Sequence, residues 1–246
     1  MKILVHGSTG RMGKILCELL TAGYNGLELA ARVSPEETSD PANGVFASLE
    51  EVNCAVDGVI DFSHHTAVGS LMDFCVRKNL PVVVATTGHT PEEKAAISAA
   101  AEKIPVFFSA NMSIGVALLA ELAKKAASVF PEANIEIVEK HHNQKLDVPS
   151  GTALLLAHRI QEALTDTVLL VGRHENGKRT AKEIGIHSLR LGNEVGTHEI
   201  IIATGAETIT LKHEAENRSL FANGALAAIK FLEGKPAGLY SMQDII

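Results

Sequence analysis

The sequence predicts an α/β protein: an N-terminal Rossmann-like doubly wound parallel sheet, then a second α+β domain built on a mixed sheet. Three observations carry this prediction. Between residue 3 and about 110, short apolar runs alternate with stretches of helical period. Those runs are nearly all apolar, as in Val82 to Ala85, which suits strands covered by helices on both faces. Beyond about residue 112 the rhythm changes to a long helix and then strand patterns linked by turns.

In order, ILVH begins the first strand and 11–22 the first helix. LELAARV, VDGVID, PVVVAT and PVFFSA continue as strands, with helices over 66–77 and 91–102. A long helix at about 113–130 leads to the strand IEIVE (135–139), a helix at about 151–164, and the runs TVLLV, IGIHSLR, THEIIIA and ETITLKH. Leu191-Gly192-Asn193 and the residues around Gly205 supply turns between strands. The closing stretch FANGALAAIKFLEGK is amphipathic and suits the flank of an α/β sheet. The expected division is therefore 1–112, 113–216, and a segment 217–246 that returns to the first domain.

Composition bounds the function classes. The 246 residues are 46% hydrophobic and 21% charged, an ordinary globular balance. The formal charge of −7 argues against general affinity for nucleic acid or anionic membrane, so any anion must be bound by local design. Cys17, Cys54 and Cys75 are odd in number and widely spaced, supporting neither a disulfide framework nor a metal site, and fit a reducing cytoplasm. The apolar run of MKILVHG is far short of a secretory segment or a membrane span.

Directly after the first strand comes Gly7-Ser8-Thr9-Gly10-Arg11-Met12-Gly13, followed by the helix KILCELL. Glycines in such a turn let the backbone approach a pyrophosphate, and the helix N-terminus offers free N–H groups and a positive dipole end. The spacing is GxxGxxG, which also arises as a plain structural turn; its βα context favours a dinucleotide. At the end of the second strand, where an acid grips the adenosine ribose of NADH, the chain reads Ala31-Arg32-Val33-Ser34-Pro35. Arg32 and Ser34 can meet a 2′-phosphate, which leans the cofactor toward NADPH over NADH. Glu36 or Glu37 can still turn toward the ribose, and Arg32 as a solvated charge is an equal alternative. The loops Asp61-Phe62-Ser63-His64-His65 and Ala85-Thr86-Thr87-Gly88 share the same sheet edge, with helix capping by Ser63 or Thr90 as the plainer role. Ser109-Ala110-Asn111-Met112 falls at the domain junction, where Asn111 can face the nicotinamide or the segment can serve as a hinge.

The most polar segment is Glu139 to Thr152, EKHHNQKLDVPSGT, between a strand and a helix. Pro149 keeps Val148 out of helical geometry, and Ser150 or Thr152 can cap the helix. His141, His142 and Lys145 thus sit beside a helix N-terminus, an arrangement suited to an anion, with the Gly151 and Thr152 amides available to a carboxylate. An imidazole or a lysine can also supply the proton that accompanies hydride delivery, so His141 and Lys145 are both candidates. A solvated loop is the plain alternative. A metal site is disfavoured, because adjacent histidines rarely chelate one ion and no HExxH or nearby Cys is present. His6, His158, His174, His187, His198 and His213 are scattered and receive no role.

GSTGRMG, DFS, ATTG, FFSANMSIGV, EKHHNQKLDVPSGTA and FANGA, in this order, closely resemble the dihydrodipicolinate reductase family of bacterial and plant lysine biosynthesis. The matches span nearly the whole chain, and HHxxKxDxPSGTA is their most specific part. The resemblance implies NAD(P)H-dependent reduction of 4-hydroxy-tetrahydrodipicolinate with loss of water, in a homotetramer. It implies that His141 donates or accepts a proton, that Lys145 donates one, that His142 binds substrate, and that Gly151 and Thr152 hold a carboxylate. It makes Gly7, Ser8, Thr9, Gly10, Arg11 and Met12 the pyrophosphate loop, Ala85, Thr86 and Thr87 the nicotinamide-ribose contact, and Ser109, Ala110, Asn111 and Met112 the loop over the nicotinamide. Two departures stand out: Ala85 replaces a frequent Gly, and Ser34 replaces an acid found in some members.

Overall fold

Strands without a polar face are stable only when both faces are covered, and the apolar runs of the first half satisfy this by joining one parallel sheet. The computed structural model describes residues 1–246. Its elements are β1 (Lys2–His6), α1 (Arg11–Thr21), β2 (Glu28–Val33), β3 (Val45–Phe46), β4 (Gly58–Asp61), α2 (Val68–Lys78), β5 (Val82–Val84), α3 (Pro91–Ala101), β6 (Pro105–Phe108), α4 (Ile114–Val129), β7 (Asn134–His141), α5 (Gly151–Gln161), β8 (Val168–Val171), β9 (Glu183–Arg190), β10 (Gly196–Ala203), β11 (Thr208–Ala215), α6 (Ser219–Phe231) and β12 (Gly238–Tyr240). They divide into two units, Met1–Ser113 with Ser219–Ile246, and Ile114–Arg218.

In the first unit the strand order is β12-β6-β5-β4-β1-β2-β3, with every neighbouring pair parallel. The order reverses at β1, so the carboxyl ends of β1 and β4 flank the crevice where such sheets bind ligands. Leu4, Val59, Val82, Val84 and Val106 from the strands pack with Leu71, Phe74, Ile97 and Ala100 from α2 and α3. Each large apolar side chain buried in this way contributes about 1.5–3 kcal/mol. On α6, Ala222, Ala225, Leu226 and Ile229 are buried, and this helix meets α1, β4 and β5. The edge strands β3 and β12 have two and three residues, too short for a periodic signal, and the sequence reading did not include them.

The second unit is a mixed sheet of order β11-β10-β7-β9-β8. β7, β10 and β11 pair antiparallel, whereas β7, β9 and β8 pair parallel. Its core joins Ile135, Ile137, Ile184, Ile186, Ile200 and Ile202 to Ala120, Ala123, Leu156 and Ile160 of α4 and α5. Strand β7 runs two residues beyond IEIVE, and its strict alternation puts Ile135, Ile137, Glu139 and His141 on the buried face. The opposite face carries half-buried Glu136, Val138, Lys140, Glu199 and Ile201, with Lys140 paired to Glu199 at 3.3 Å. No helix is long and apolar enough to cross a membrane.

Gly13 tests the tightest helix-to-loop approach in the first unit, because a Cβ there would lie 2.1 Å from the Gly7 carbonyl oxygen. That neighbour is backbone and cannot yield cheaply. Gly13→Ala is expected to lower unfolding free energy by about 2 kcal/mol or more. Its urea midpoint should fall clearly below that of an exposed control such as Gly69→Ala, where a Cβ meets nothing within 4 Å.

Candidate active site

In the first unit the site begins where β1 ends. Gly7 has φ +81°, and a Cβ on it would lie 2.7 Å from the Phe62 backbone, so the turn crosses directly against the end of β4. Helix α1 then starts at Arg11 with no acid in its first turn and no side-chain cap at Gly10. Its first amides and positive dipole end are left to an anion. The Ser8 hydroxyl is buried and has no partner within the chain. Thr9 Oγ1 lies 2.7 Å from Ser34 Oγ, tying the turn to the end of β2, where Ser34 is buried and Arg32 half-buried.

Beneath these loops Asp61 is buried and receives three side chains. His6 Nδ1 lies 2.8 Å from Oδ1, the Ser63 hydroxyl donates to Oδ1 at 2.6 Å, and the Thr86 hydroxyl donates to Oδ2 at 2.6 Å. Burial pushes the Asp61 carboxyl up, but the hydrogen bond and charge of His6, with the two hydroxyls, hold it below its ordinary value. Ser63 is therefore an anchor and not a helix cap, whereas Thr90 caps α3 in a reciprocal box with Glu93. Arg11, Met12, residues 62–65, Ala85, Thr86 and Thr87 line a cleft of about 390 Å³. Ser109 to Met112 are not in that lining. Ser109 Oγ donates to the Asn111 carbonyl at 2.8 Å, and the Ser113 amide donates to Asn111 Oδ1 at 2.8 Å. Met112 is buried, and its carbonyl would meet a Cβ on Gly224 of α6 at 1.7 Å.

In the second unit the polar segment is built around Glu139, which is fully buried. Arg190 grips it through two bonds of 2.8 and 2.9 Å, and the Ser150 amide donates to it at 3.1 Å. His141 Nδ1 lies 2.5 Å from its Oε2, which assigns the ring proton to Nδ1 and presents Nε2 as the outward atom. Burial acts to raise the Glu139 carboxyl, but the His141 and Arg190 hydrogen bonds outweigh it and hold the group well below the carboxylate range. Room for the imidazole comes from Gly196, where a Cβ would stand 3.0 Å from His141 Nε2. His198 stacks edge-on against His141 at 5.2 Å and meets Ser150 Oγ at 3.1 Å; that hydroxyl also caps α5 by accepting from the Ala153 amide.

Lys145, mostly buried, pairs with Asp147 at 2.8 Å. Burial acts to raise the Asp147 carboxyl, but the hydrogen bond and charge of Lys145 lead a net lowering. His142 is half-buried, and its amide donates to the Glu194 carbonyl at 2.8 Å. Thr152 lies half-buried in the first turn of α5, beside exposed Gly151. Glu139 thus ties His141 to the helix start that carries Gly151 and Thr152, and Lys145 lies on the loop between them. Sequence reasoning passed over Asp61, Glu139, Arg190 and His198. The alternation that pairs Glu139 with His141 was a usable signal; the distant partners Arg190 and His198 left none. No group of three or more His, Cys, Asp or Glu side chains is placed to hold a metal ion.

Residues 1–112 match the family model "Dihydrodipicolinate reductase, N-terminus" and residues 115–246 match "Dihydrodipicolinate reductase, C-terminus". Proteins named 4-hydroxy-tetrahydrodipicolinate reductase from Caldanaerobacter subterraneus subsp. tengcongensis and Clostridium novyi are each 42% identical, covering 100% of this chain and 98% of the relative. Among solved structures, a dipicolinate-bound dihydrodipicolinate reductase from Paenisporosarcina sp. TG-14 superposes with a TM-score of 0.84 at 28% identity, covering 100% of this chain and 99% of that one.

His198 makes the second unit sensitive to acid. Burial and the charge of His141 push its imidazole down to about 3 from an ordinary 6.5. Between those values the unfolded chain binds a proton that the folded chain excludes, so stability is full above about pH 6.5 and falls as pH drops toward 3. The slope contributed is at most about 1.4 kcal/mol per pH unit. Glu139 acts in the same direction, but only below its ordinary 4.5. Urea unfolding at pH 7, 6 and 5 should show the decline, and His198→Gln should flatten it; an undiminished slope would contradict a buried neutral imidazole.

Proposed function

The chain belongs to the dihydrodipicolinate reductase family, and on that premise we propose that it reduces 4-hydroxy-tetrahydrodipicolinate to tetrahydrodipicolinate with NAD(P)H, releasing water in the diaminopimelate route to lysine. The enzyme is an oxidoreductase with a nucleotide-binding N-terminal unit. The single observation that carries the residue assignments is that one buried carboxylate, Glu139, joins His141 to the start of α5 and so fixes both ends of the loop that carries Lys145.

The dinucleotide reading rests on three features of this chain. Gly7 and Gly13 leave no space for a Cβ, α1 is uncapped, and the Ser8 hydroxyl is buried without an internal partner. Gly7 to Met12 would hold the pyrophosphate, and Ala85, Thr86 and Thr87 the nicotinamide ribose, with Thr86 fixed from below by Asp61. Ser109 to Met112 would cover the nicotinamide. Bound there, the reduced nicotinamide supplies a hydride. Ser34, where an acid would repel a 2′-phosphate, and nearby Arg32 favour NADPH over NADH.

On the substrate side, Gly151 and Thr152 offer amides to one carboxylate, and His142 a donor to the same ligand. Hydride addition at C4 with departure of the hydroxyl consumes one proton and yields water. Lys145 would give that proton, and His141, its Nδ1–H held by Glu139, would give or take one at Nε2. We assign the protein to the cytoplasm and to a homotetramer; the half-buried sheet face with Val138, Leu170 and Ile201 supports self-association.

Supplied with substrate freshly made by the preceding synthase, the purified protein is expected to oxidise NADPH, and NADH more slowly. Lys145→Ala should lose about 10²–10⁴-fold in kcat while keeping its cofactor affinity. Tight NADPH binding without substrate-dependent absorbance loss would refute the assignment.

A further inference from the structure

We propose that Asp147 is an internal competitor for an anionic ligand: it occupies Lys145 in the unliganded chain, and the site admits only ligands able to displace it. This rests on the substrate reading given above. Asp147 Oδ1 stands 2.8 Å from Lys145 Nζ, and Lys145 belongs with His141 and His142 to the basic loop that the sequence suits to an anion. A carboxylate of this chain thus stands where an anionic ligand of Lys145 would.

The contact is placed to open. Asp147 is 58% exposed at its side chain against 20% for Lys145, and an ion pair so open to water is weak. Its main chain, by contrast, is held: Arg190 Nη2 donates to the Asp147 carbonyl at 2.7 Å with the guanidinium that grips Glu139. The side chain can therefore swing away and return without the loop moving. Neighbouring Leu146 and Val148 are 95% and 60% exposed, so no packing has to be broken.

A site closed part of the time by its own anion binds every ligand more weakly, in proportion to the fraction of time it is open. Small inorganic anions, with few other contacts, are then largely excluded. A dicarboxylate that also reaches His142 and the α5 start overcomes the competition. Asp147 thereby acts as a specificity residue, and it acts through Lys145.

The test is titration calorimetry of wild type, Asp147→Asn and Asp147→Ala with sulfate and with dipicolinate, at constant ionic strength. NADPH affinity, a property of the other unit, verifies folding. Both variants are expected to bind sulfate and dipicolinate about 3–10-fold more tightly, and KM for the substrate should fall with them. Unchanged or weaker sulfate binding in both variants overturns the proposal, and a fall in kcat with unchanged affinities would make Asp147 an orienting partner of Lys145 instead. Sulfate reads the contact whether or not the chain is a reductase. Failure of dipicolinate and substrate to bind wild type would instead count against the functional reading.

Discussion

The second unit is organised by the need to neutralise one carboxylate. Glu139 is fully buried, and an uncompensated charge there would cost several kcal/mol. Its partners come from three places: His141 two residues along β7, Arg190 at the end of β9, and the Ser150 amide at the start of α5. The parallel register of β7 and β9 sets Arg190 opposite His141, so the guanidinium reaches diagonally to Glu139. His141 and Ser150 bracket the segment 142–149. One carboxylate thus closes both ends of the loop that carries His142, Lys145 and Asp147, and the geometry of the proposed chemistry follows from it.

The first unit uses the same device at its own sheet edge. Asp61 ends β4 and draws in His6 from the end of β1, Ser63 from the following loop and Thr86 from the loop after β5. Backbone glycines make the cleft shallow enough for close approach, and the buried acid fixes the loops around it. In both units the acid lies behind the groups it orients. Removing either acid would leave its donors unsatisfied and free the loops.

Legibility in the sequence followed the range of the interactions. The parallel and mixed sheets were readable because apolar runs and period-two alternation are local, and the glycine turn was readable because its glycines lie within seven residues. β3 and β12 were not, since two or three residues carry no period. Ser63 read as a cap because its local sequence permits one, but a carboxylate two residues earlier takes its hydroxyl. The Arg190 to Glu139 pair spans 51 residues and the His198 to Ser150 pair 48, so neither leaves a local mark. His198 read as one scattered histidine for that reason. Lys145 read as a cation for an anionic ligand and as a candidate proton donor, and its pairing with Asp147 depends on how the loop folds.

A chain of net charge −7 that handles two anionic ligands must create positive potential locally. It does so where basic side chains and helix starts meet. Helix α3 fills its own N-terminus with Glu92 and Glu93 and a complete capping box, leaving nothing for a ligand. The other five α-helices, α1 and α5 among them, carry no acid in their first turns. At α1 the cap is a glycine, so backbone amides alone face the cleft, which suits a phosphate chain lying along the turn. At α5 the Ser150 hydroxyl takes the Ala153 amide, and the nearest acid in sequence, Asp147, lies outside the helix and pairs with Lys145. An acid in the first turn would satisfy α5 permanently, as in α3; Asp147, four residues before the helix, mostly exposed and held through its main chain, neutralises Lys145 reversibly. The placement of Asp147 outside α5 thus lets a stronger dianion take Lys145 in its stead.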